Sequence, residues 1–195
     1  MNRISTLIIK KFQAFPLLLI VSLGITFNSF GKETPVAKKG VLDLRDWNFS
    51  DQPAINLEGE WEFYWNEYLS LDEIESRKKK KIFRQFPMLW ENDSVAGALI
   101  TPEGYATHRL KVIFSSITPE LSISIPQFYS AYFLFINGDF VTANGNVGTS
   151  KETSRPHWQP QTTDLRITND TLDIVLQIAN FRHSKGGASK NISIG

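Results

Sequence analysis

A cluster of polar side chains closes the last long hydrophobic stretch of the sequence. Asn180, Arg182 and His183 follow one another at short spacing, and Gly186-Gly187 allows the chain to bend directly afterwards. Amide, guanidinium and imidazole groups are planar hydrogen-bonding groups of the kind that fixes the hydroxyls of a neutral sugar. We therefore predict a ligand site at this cluster. The alternative is a capped strand end, in which Asn180 bonds the backbone of its own turn.

Sugar binding also requires an aromatic face against which the apolar side of the ring can stack. Trp158, in a proline-flanked loop, and Trp90, near a predicted strand end, are the predicted stacking residues. Both have a structural alternative, because a loop tryptophan often plugs the end of a core and a tryptophan at a strand end can be buried in it. Three further aromatic residues share one face of a predicted strand and are assigned to the core: Trp61, Phe63 and Trp65.

Residues for catalysis or metal binding show no recognisable pairing. Glycoside hydrolysis needs two carboxylates several ångströms apart across a bond, and no such pair can be inferred among Asp43, Asp46, Glu58, Glu60 and Glu62. The three histidines are far apart in sequence and the chain has no cysteine. No glycine-rich phosphate loop or serine nucleophile motif is present. We predict a non-catalytic chain without a cofactor or a metal site, although a calcium site built from loop oxygens stays open.

Hydrophobic residues with a period of two predict that strands position these groups. The alternation is clear in 121–125 and 172–178, and a strand from about Tyr105 to Phe114 shows it too. Asn137-Gly138 between two apolar runs predicts a tight hairpin. Further strands are predicted at 41–44, 59–65, 165–167 and 192–194, roughly nine in all, with long loops at 87–102 and 144–163.

One short helix is predicted near Ser70, because Ser70 and Glu73 have capping-box spacing. A single helix among many strands predicts an all-β sandwich with a jelly-roll-like arrangement. The run Tyr132 to Ile136 is apolar on both faces, so it must be covered on both sides, by the second sheet and by the helix, loops or a partner domain.

The start of the chain predicts export. Arg3, Lys10 and Lys11 precede an uncharged, apolar stretch at 12–31 that ends in small residues, which is the order of a signal peptide. The alternative is an uncleaved membrane anchor. Without cysteine there is neither a lipoprotein anchor nor a disulfide, which favours a bacterial periplasm or cell surface. The predicted division is a signal peptide at 1–31, a linker at 32–39 and one domain at 40–195.

The net charge of +1 gives no reason to expect nucleic acid as a partner. Basic residues are concentrated only at 77–81. We interpret this run as a solvated loop, and the alternative is docking on phosphates or anionic lipid.

Five motifs in order resemble the sugar-binding jelly roll of family-two glycoside hydrolases such as β-galactosidases. They are Ile55-Asn56-Leu57-Glu58-Gly59-Glu60-Trp61-Glu62-Phe63, Pro87 with Trp90, Gly104 to Leu110, Phe135-Ile136-Asn137-Gly138, and Leu176 to Asn180. The resemblance implies a galactose-binding-like sandwich. It also implies that the catalytic acids of such hydrolases lie in a separate barrel domain, for which this chain has no room. His108 departs from the pattern, since an aromatic residue is more usual there.

Two flanking segments resemble a second group, the extracellular domain of bacterial seven-transmembrane receptors with diverse intracellular signalling modules. They are Gly40-Val41-Leu42-Asp43-Leu44-Arg45-Asp46-Trp47 and Asn180-Phe181-Arg182-His183 with Gly186-Gly187. The resemblance implies a domain that senses a ligand such as a carbohydrate and that contacts a membrane receptor domain. The sequence to Gly195 contains no seven apolar segments and no signalling module.

We therefore expect an exported, non-catalytic sensor domain that binds a small molecule, with a saccharide as the favoured ligand. The alternative is an accessory sugar-binding domain related to glycoside hydrolases, either as a fragment or as a stand-alone binder. A sandwich that contacts only other proteins is the third hypothesis.

Overall fold

Alternating buried and exposed residues form strands through most of the domain. The computed structural model describes residues 33–91, 93–95, 97–115 and 120–195, so the predicted signal peptide at 1–31 lies outside the described residues. In chain order the elements are β1 (Val41–Leu44), β2 (Ile55–Asn56), β3 (Gly59–Trp65), α1 (Leu71–Ser76), β4 (Phe83–Phe86), β5 (Leu89–Trp90), β6 (Asp93–Val95), β7 (Ala98–Ile100), β8 (Gly104–Phe114), β9 (Leu121–Ile125), β10 (Ala131–Ile136), β11 (Asp139–Asn146), β12 (Arg155–Pro156), β13 (Gln161–Leu165), β14 (Thr171–Asn180), β15 (Gly186–Gly187) and β16 (Ser193–Ile194).

The larger sheet is built around the antiparallel pair β8 and β14. These strands pair from Thr171 opposite Ile113 to Asn180 opposite Gly104. The order across the sheet is β12-β11-β10-β14-β8-β3-β4. The other edge of β8 is shared, since β3 pairs antiparallel with its first half and β1 pairs parallel with its last residues.

The smaller sheet has the order β13-β9-β16-β2 and covers one face of the larger sheet. In β9 the side chains of Leu121, Ile123 and Ile125 are buried, whereas the serines between them are more exposed. They share one core with side chains of the larger sheet, among them Leu110, Leu134, Leu172, Ile174 and Leu176. The predicted all-β sandwich is therefore confirmed.

A short helix packs on the outer face of the larger sheet. The Ser70 hydroxyl accepts the Glu73 N–H, and the Glu73 carboxylate accepts the Ser70 N–H, which is the predicted capping box. Ile74 packs in a small cluster with Tyr64, Leu69 and Val175. Phe135 is partly buried against this cluster, so β10 is covered on its second face by the helix region, while Phe140 on the neighbouring β11 remains 59% exposed.

The predicted hairpin joins β10 to β11. Asn137 and Gly138 both have positive φ, 51° and 89°, and Ile136 pairs with Asp139 across the turn. Two consecutive positive φ angles are the geometry of a type I′ turn, which Asn-Gly favours. The hairpin prediction is confirmed.

Short strands occupy the two segments that were predicted as long loops. Residues 87–102 contain β5, β6 and β7, and residues 144–163 contain the end of β11, β12 and the start of β13. Strands of two or three residues are too short for a period of two to be visible. The predicted strand at 165–167 lies earlier, at Gln161–Leu165.

The packed domain begins before Gly40. Ala37 is 1% exposed; its N–H donates to the Glu58 carbonyl and its carbonyl accepts from the Glu60 N–H. The end of the segment predicted as a linker therefore belongs to the domain. Among the described residues, no helix has the length and apolar character needed to cross a membrane.

A buried ion-pair network joins three strands of the larger sheet on its outer face. The Arg109 guanidinium binds Glu62 at 2.7 Å and Asp173 at 2.8 Å, and the Lys81 ammonium also binds Glu62 at 2.7 Å. Burial opposes the ionised form of Glu62. The hydrogen bonds from Lys81, Tyr64 and Arg109 outweigh that effect and hold the pKa of the carboxyl below its ordinary value. The network fastens the segment after α1 to the sheet.

His108 occupies a fully apolar position in the core. Its ring lies 5.0 Å from Phe63 and 5.6 Å from Phe86, centroid to centroid, and its Nε2 has no hydrogen-bond partner among the described residues. It therefore fills the position as an aromatic ring, which accounts for its departure from the usual residue type. Burial lowers the pKa of His108 to about 3.

This shift predicts acid destabilisation through His108. In the unfolded chain the His108 side chain titrates at about pH 6.5. Between that value and pH 3 His108 therefore holds a proton in the unfolded chain but not in the folded chain. His108 therefore lowers the free energy of unfolding by up to about 1.4 kcal/mol for each pH unit of acidification in this window. Urea unfolding of wild type and His108→Leu between about pH 7 and pH 4 should show a shallower slope in the variant. His157→Leu, at an exposed histidine, should keep the wild-type slope; equal slopes in all three proteins would contradict the assignment.

Candidate functional site

The last long strand ends in a turn closed by one side chain. Asn180 is 1% exposed, and its Nδ2 donates to the carbonyls of Pro102 at 2.7 Å and His183 at 2.6 Å. Its Oδ1 accepts the backbone N–H groups of His183 at 3.1 Å and Arg182 at 3.4 Å. Both amide hydrogens are thus engaged, and Asn180 positions the turn as in the strand-cap alternative.

His183 lies flat against an aromatic ring that the sequence did not single out. The rings of His183 and Tyr129 are parallel to within 2°, with centroids 4.2 Å apart, and Tyr129 is 37% exposed. The Lys185 N–H donates to Nδ1 of His183 at 3.0 Å. A ring nitrogen that accepts carries no proton, so the proton of neutral His183 is on Nε2, which is left as a donor.

Arg182 joins this turn to the loop between β11 and β12. Its Nε donates to the Ser154 carbonyl at 3.1 Å and its Nη2 to the Lys151 carbonyl at 2.9 Å. The guanidinium has five N–H donors, and Nη1 is not used in these two bonds. The structure therefore fastens the turn of Arg182 and His183 to the β11–β12 loop, and Trp158 follows β12 in the next loop.

Trp158 lies at the surface and does not fill the end of the core, because 56% of its surface is exposed to solvent. The loop is anchored on either side of it. Before it, β12 pairs with β11 through Pro156 opposite Gly145. After it, Nδ2 of the buried Asn144 donates to the Gln159 carbonyl at 2.8 Å. This exposed ring favours a contact role.

Trp90 is placed differently, because its indole is buried and 1% exposed. It meets Trp65 edge to face at 4.9 Å. On another side it packs under the glycines of β15, where a Cβ on Gly186 would lie 2.8 Å from the indole and 2.1 Å from the Pro102 carbonyl. Trp90 has no free face for stacking in this structure and supports the turn from below. Of the five predicted site residues, Arg182 and Trp158 are exposed and His183 is half-buried, whereas Asn180 and Trp90 are buried.

Tyr129, Arg182 and His183 around the turn, together with the exposed Trp158 in the β12–β13 loop, are called the strand-exit surface below. Tyr129 was missed because it lies in a loop between β9 and β10. The pairing of Ala131 with Ala179 and the hydrogen bond from the Ser130 hydroxyl to the Gly187 carbonyl, 3.0 Å long, place that loop beside the turn.

Comparison with known proteins bears on the fold. No known protein family matches the sequence, and no curated protein matches it either. The structure is similar to a β-glucuronidase from Ruminococcus gnavus in complex with D-glucaro 1,5-lactone, with a TM-score of 0.51 and 10% identity over 72% of this chain and 28% of that one. A Ruminococcus gnavus β-glucuronidase in complex with uronic isofagomine gives a TM-score of 0.50 at 10% identity, with coverage of 72% of this chain and 27% of that one.

A GH2 β-galacturonidase from Eisenbergiella tayi bound to galacturonate is also similar, with a TM-score of 0.49 and 12% identity over 72% of this chain and 24% of the enzyme. This chain thus matches only about a quarter of the length of these enzymes. The domain has the galactose-binding-like sandwich fold.

The carboxylates singled out in the sequence are engaged in the fold. Asp43 pairs with Arg45 at the surface, Glu60 accepts the Lys39 N–H, and Glu58 accepts from Asn191. No group of three or more histidine, cysteine or acidic residues that could hold a metal ion occurs in the described part of the chain.

The hydrogen bonds of Asn180 predict a large stability effect. Asn180→Ala leaves two carbonyls and two N–H groups of the turn without partners, so the free energy of unfolding should fall by about 1–3 kcal/mol. Urea unfolding measures it, with Asn56→Ala, at an exposed position of β2, as the control that stays close to wild type. An unchanged midpoint for Asn180→Ala would show that the turn does not depend on this side chain.

Proposed function

We propose that this domain is a non-catalytic ligand-binding module whose ligand is a saccharide and whose site is the strand-exit surface. The observation that carries the proposal is the Tyr129–His183 stack beside the exposed Arg182, together with the exposed Trp158 ring in the loop after β12. Aromatic faces beside planar donors are the two components that sugar recognition requires.

The residues have distinct roles in this proposal. Trp158 and Tyr129 supply apolar faces for a sugar ring. Nη1 of Arg182 and Nε2 of His183 donate to hydroxyl oxygens. Asn180 and Trp90 are positioning residues, because their side chains hold the turn and do not face solvent. A fold shared with carbohydrate-active enzymes supports saccharides as the first ligand class to test.

Binding measurements on two variants test the site. Trp158→Ala removes an exposed ring, and Arg182→Ala removes a donor, so each should weaken saccharide binding by about 1–3 kcal/mol. Calorimetry of the full chain against a panel of cell-wall and storage sugars measures the affinity, and a thermal melt of each variant checks the fold.

Arg166→Ala provides the control, because Arg166 is exposed on the loop between β13 and β14. It should bind as wild type does. If no sugar binds at millimolar concentration, or if Trp158→Ala and Arg182→Ala bind like wild type, the site is wrong and the hypothesis of a protein-contact sandwich is preferred.

We further propose that the domain works outside the cytoplasm as the ligand-sensing part of a membrane receptor. The basic and apolar order of residues 1–31 and the resemblance of 40–47 and 180–187 to receptor ectodomains support this role. The similarity of the fold to glycoside hydrolases favours the second candidate, an accessory sugar-binding domain. The reading frame beyond codon 195 separates them: seven apolar segments support the receptor, and a barrel-sized domain supports the hydrolase.

Export predicts a processed N-terminus. Mass spectrometry of protein recovered from the periplasm should find a chain that begins within a few residues of Lys32. A substitution of the apolar stretch, Leu18→Arg, should block processing, because a charge interrupts the region that the export machinery recognises. Intact Met1 on wild-type protein in the membrane fraction would instead indicate an uncleaved anchor.

A further inference from the structure

The basic run at 77–81 divides into residues that hold the fold and residues that do not. Arg77 forms an ion pair with Glu67 and lies over the Tyr64 ring, 5.5 Å from its centroid. Lys81 is bound to the buried Glu62. These two anchors keep the segment between them close to the sheet, so the run is not simply a solvated loop as the sequence suggested.

Lys79 and Lys80 line a cleft of about 290 Å³ between this segment, β3 and the β6–β7 hairpin. Its apolar walls include Trp65, Ile82 and Val95. The volume is near the lower end of those of small-molecule sites, which run from about 300 to 1,000 Å³. The cleft lies at the β3–β4 side of the larger sheet, whereas the strand-exit surface adjoins β10, β11 and β14.

Trp65 is held rigidly at the wall of this cleft. A Cβ on Gly104 would lie 2.4 Å from the indole, so the glycine lets the ring lie directly on the backbone. Trp90 meets it edge to face at 4.9 Å and Phe63 is stacked at 6.1 Å. The ring remains only partly buried, and it lines the cleft as a preorganised apolar surface.

The charge of the lining is positive. Arg77 and Glu67 neutralise each other, and neither Lys79 nor Lys80 has an ion-pair partner among the described residues. Lys79 and Lys80 thus add two positive charges to a cleft that is lined in part by apolar side chains, and no described residue pairs with either of them. An anionic group bound there would gain charge-assisted hydrogen bonds.

We propose that this cleft is a second binding site, for a small soluble ligand that carries an anionic group next to the apolar face of a ring, as in an acidic or phosphorylated monosaccharide. The anion binds Lys79 and Lys80, and the ring lies against Trp65. The site is independent of the neutral-sugar site proposed above, because the two share no surface residue.

Calorimetry of the full chain with glucuronate, glucose 6-phosphate and glucose tests the proposal. Glucuronate or glucose 6-phosphate should bind, and the two probes tell a carboxylate from a phosphate site. The double variant Lys79→Gln/Lys80→Gln should weaken that binding about tenfold or more. Lys78→Gln, in the same run but outside the cleft lining, is the matched control and should change it less than about twofold. Raising the salt from about 50 to 300 mM should weaken binding as well.

Several outcomes would overturn the proposal. The first is that neither anionic probe binds at millimolar concentration. The second is that glucose binds as well as the anionic probes and that its binding requires the two lysines. The third is that Lys78→Gln weakens binding as much as the double variant does, which would indicate diffuse electrostatic attraction. Vesicles containing anionic lipid are a further test: lysine-dependent vesicle binding without binding of the soluble probes would replace the proposal by a membrane-surface contact.

One outcome would support two separate sites. Trp158→Ala should lose neutral-sugar binding and keep the binding of the anionic probe, which would distinguish the cleft from the strand-exit surface.

Discussion

The pairing of β8 with β14 is the constraint on which the rest of the domain depends. These two strands lie at the centre of the larger sheet and pair over the full length of β14. Because side chains alternate along a strand, a shift of one residue in this pairing would turn every side chain of the shifted strand to the opposite face. Their register places His108 beside Leu176 in the core and directs Arg109 and Asp173 to the outer face.

The same register accounts for how the domain tolerates buried polar groups. Arg109 lies opposite Glu62 on β3 and reaches Asp173 on β14, so one cation satisfies two carboxylates from neighbouring strands. A buried charge without its partner is costly, and the network therefore ties the relative positions of three strands to one another. His108 has no ionic partner of this kind. It stays neutral because burial lowers its pKa, and it packs as an aromatic ring against Phe63.

Trp90 connects the two surfaces for which binding is proposed. One side of its indole meets Trp65, which lines the cleft with Lys79 and Lys80, and another lies under Gly186 and Gly187, next to the turn that Asn180 closes. Neither surface contains Trp90 as an exposed residue. A densely packed core tolerates little change in the position of a large side chain. Trp90 is therefore a common structural support of both surfaces.

The sequence by itself determined the class of fold and the elements with strong local signals. Alternation in 121–125 and 172–178, the Asn137-Gly138 turn and the Ser70–Glu73 capping box depend on neighbours within a few residues, and the structure confirms each of them. The short strands at Leu89–Trp90, Arg155–Pro156 and Gly186–Gly187 could not be predicted, because two residues carry no periodicity and their pairing partners are distant in sequence.

Only the tertiary structure decided what the site residues do. Asn180 and Arg182 are two residues apart, yet one is buried as a cap and the other reaches carbonyls of a loop about thirty residues away. Trp90 and Trp158 were equivalent candidates in the sequence, and burial separates them. Two features join segments that meet only after the sheet has formed. They are the stack of Tyr129 on His183 and the cleft lined by Trp65, Lys79 and Lys80. Both features depend on strand register and side-chain packing and not on local conformational preference.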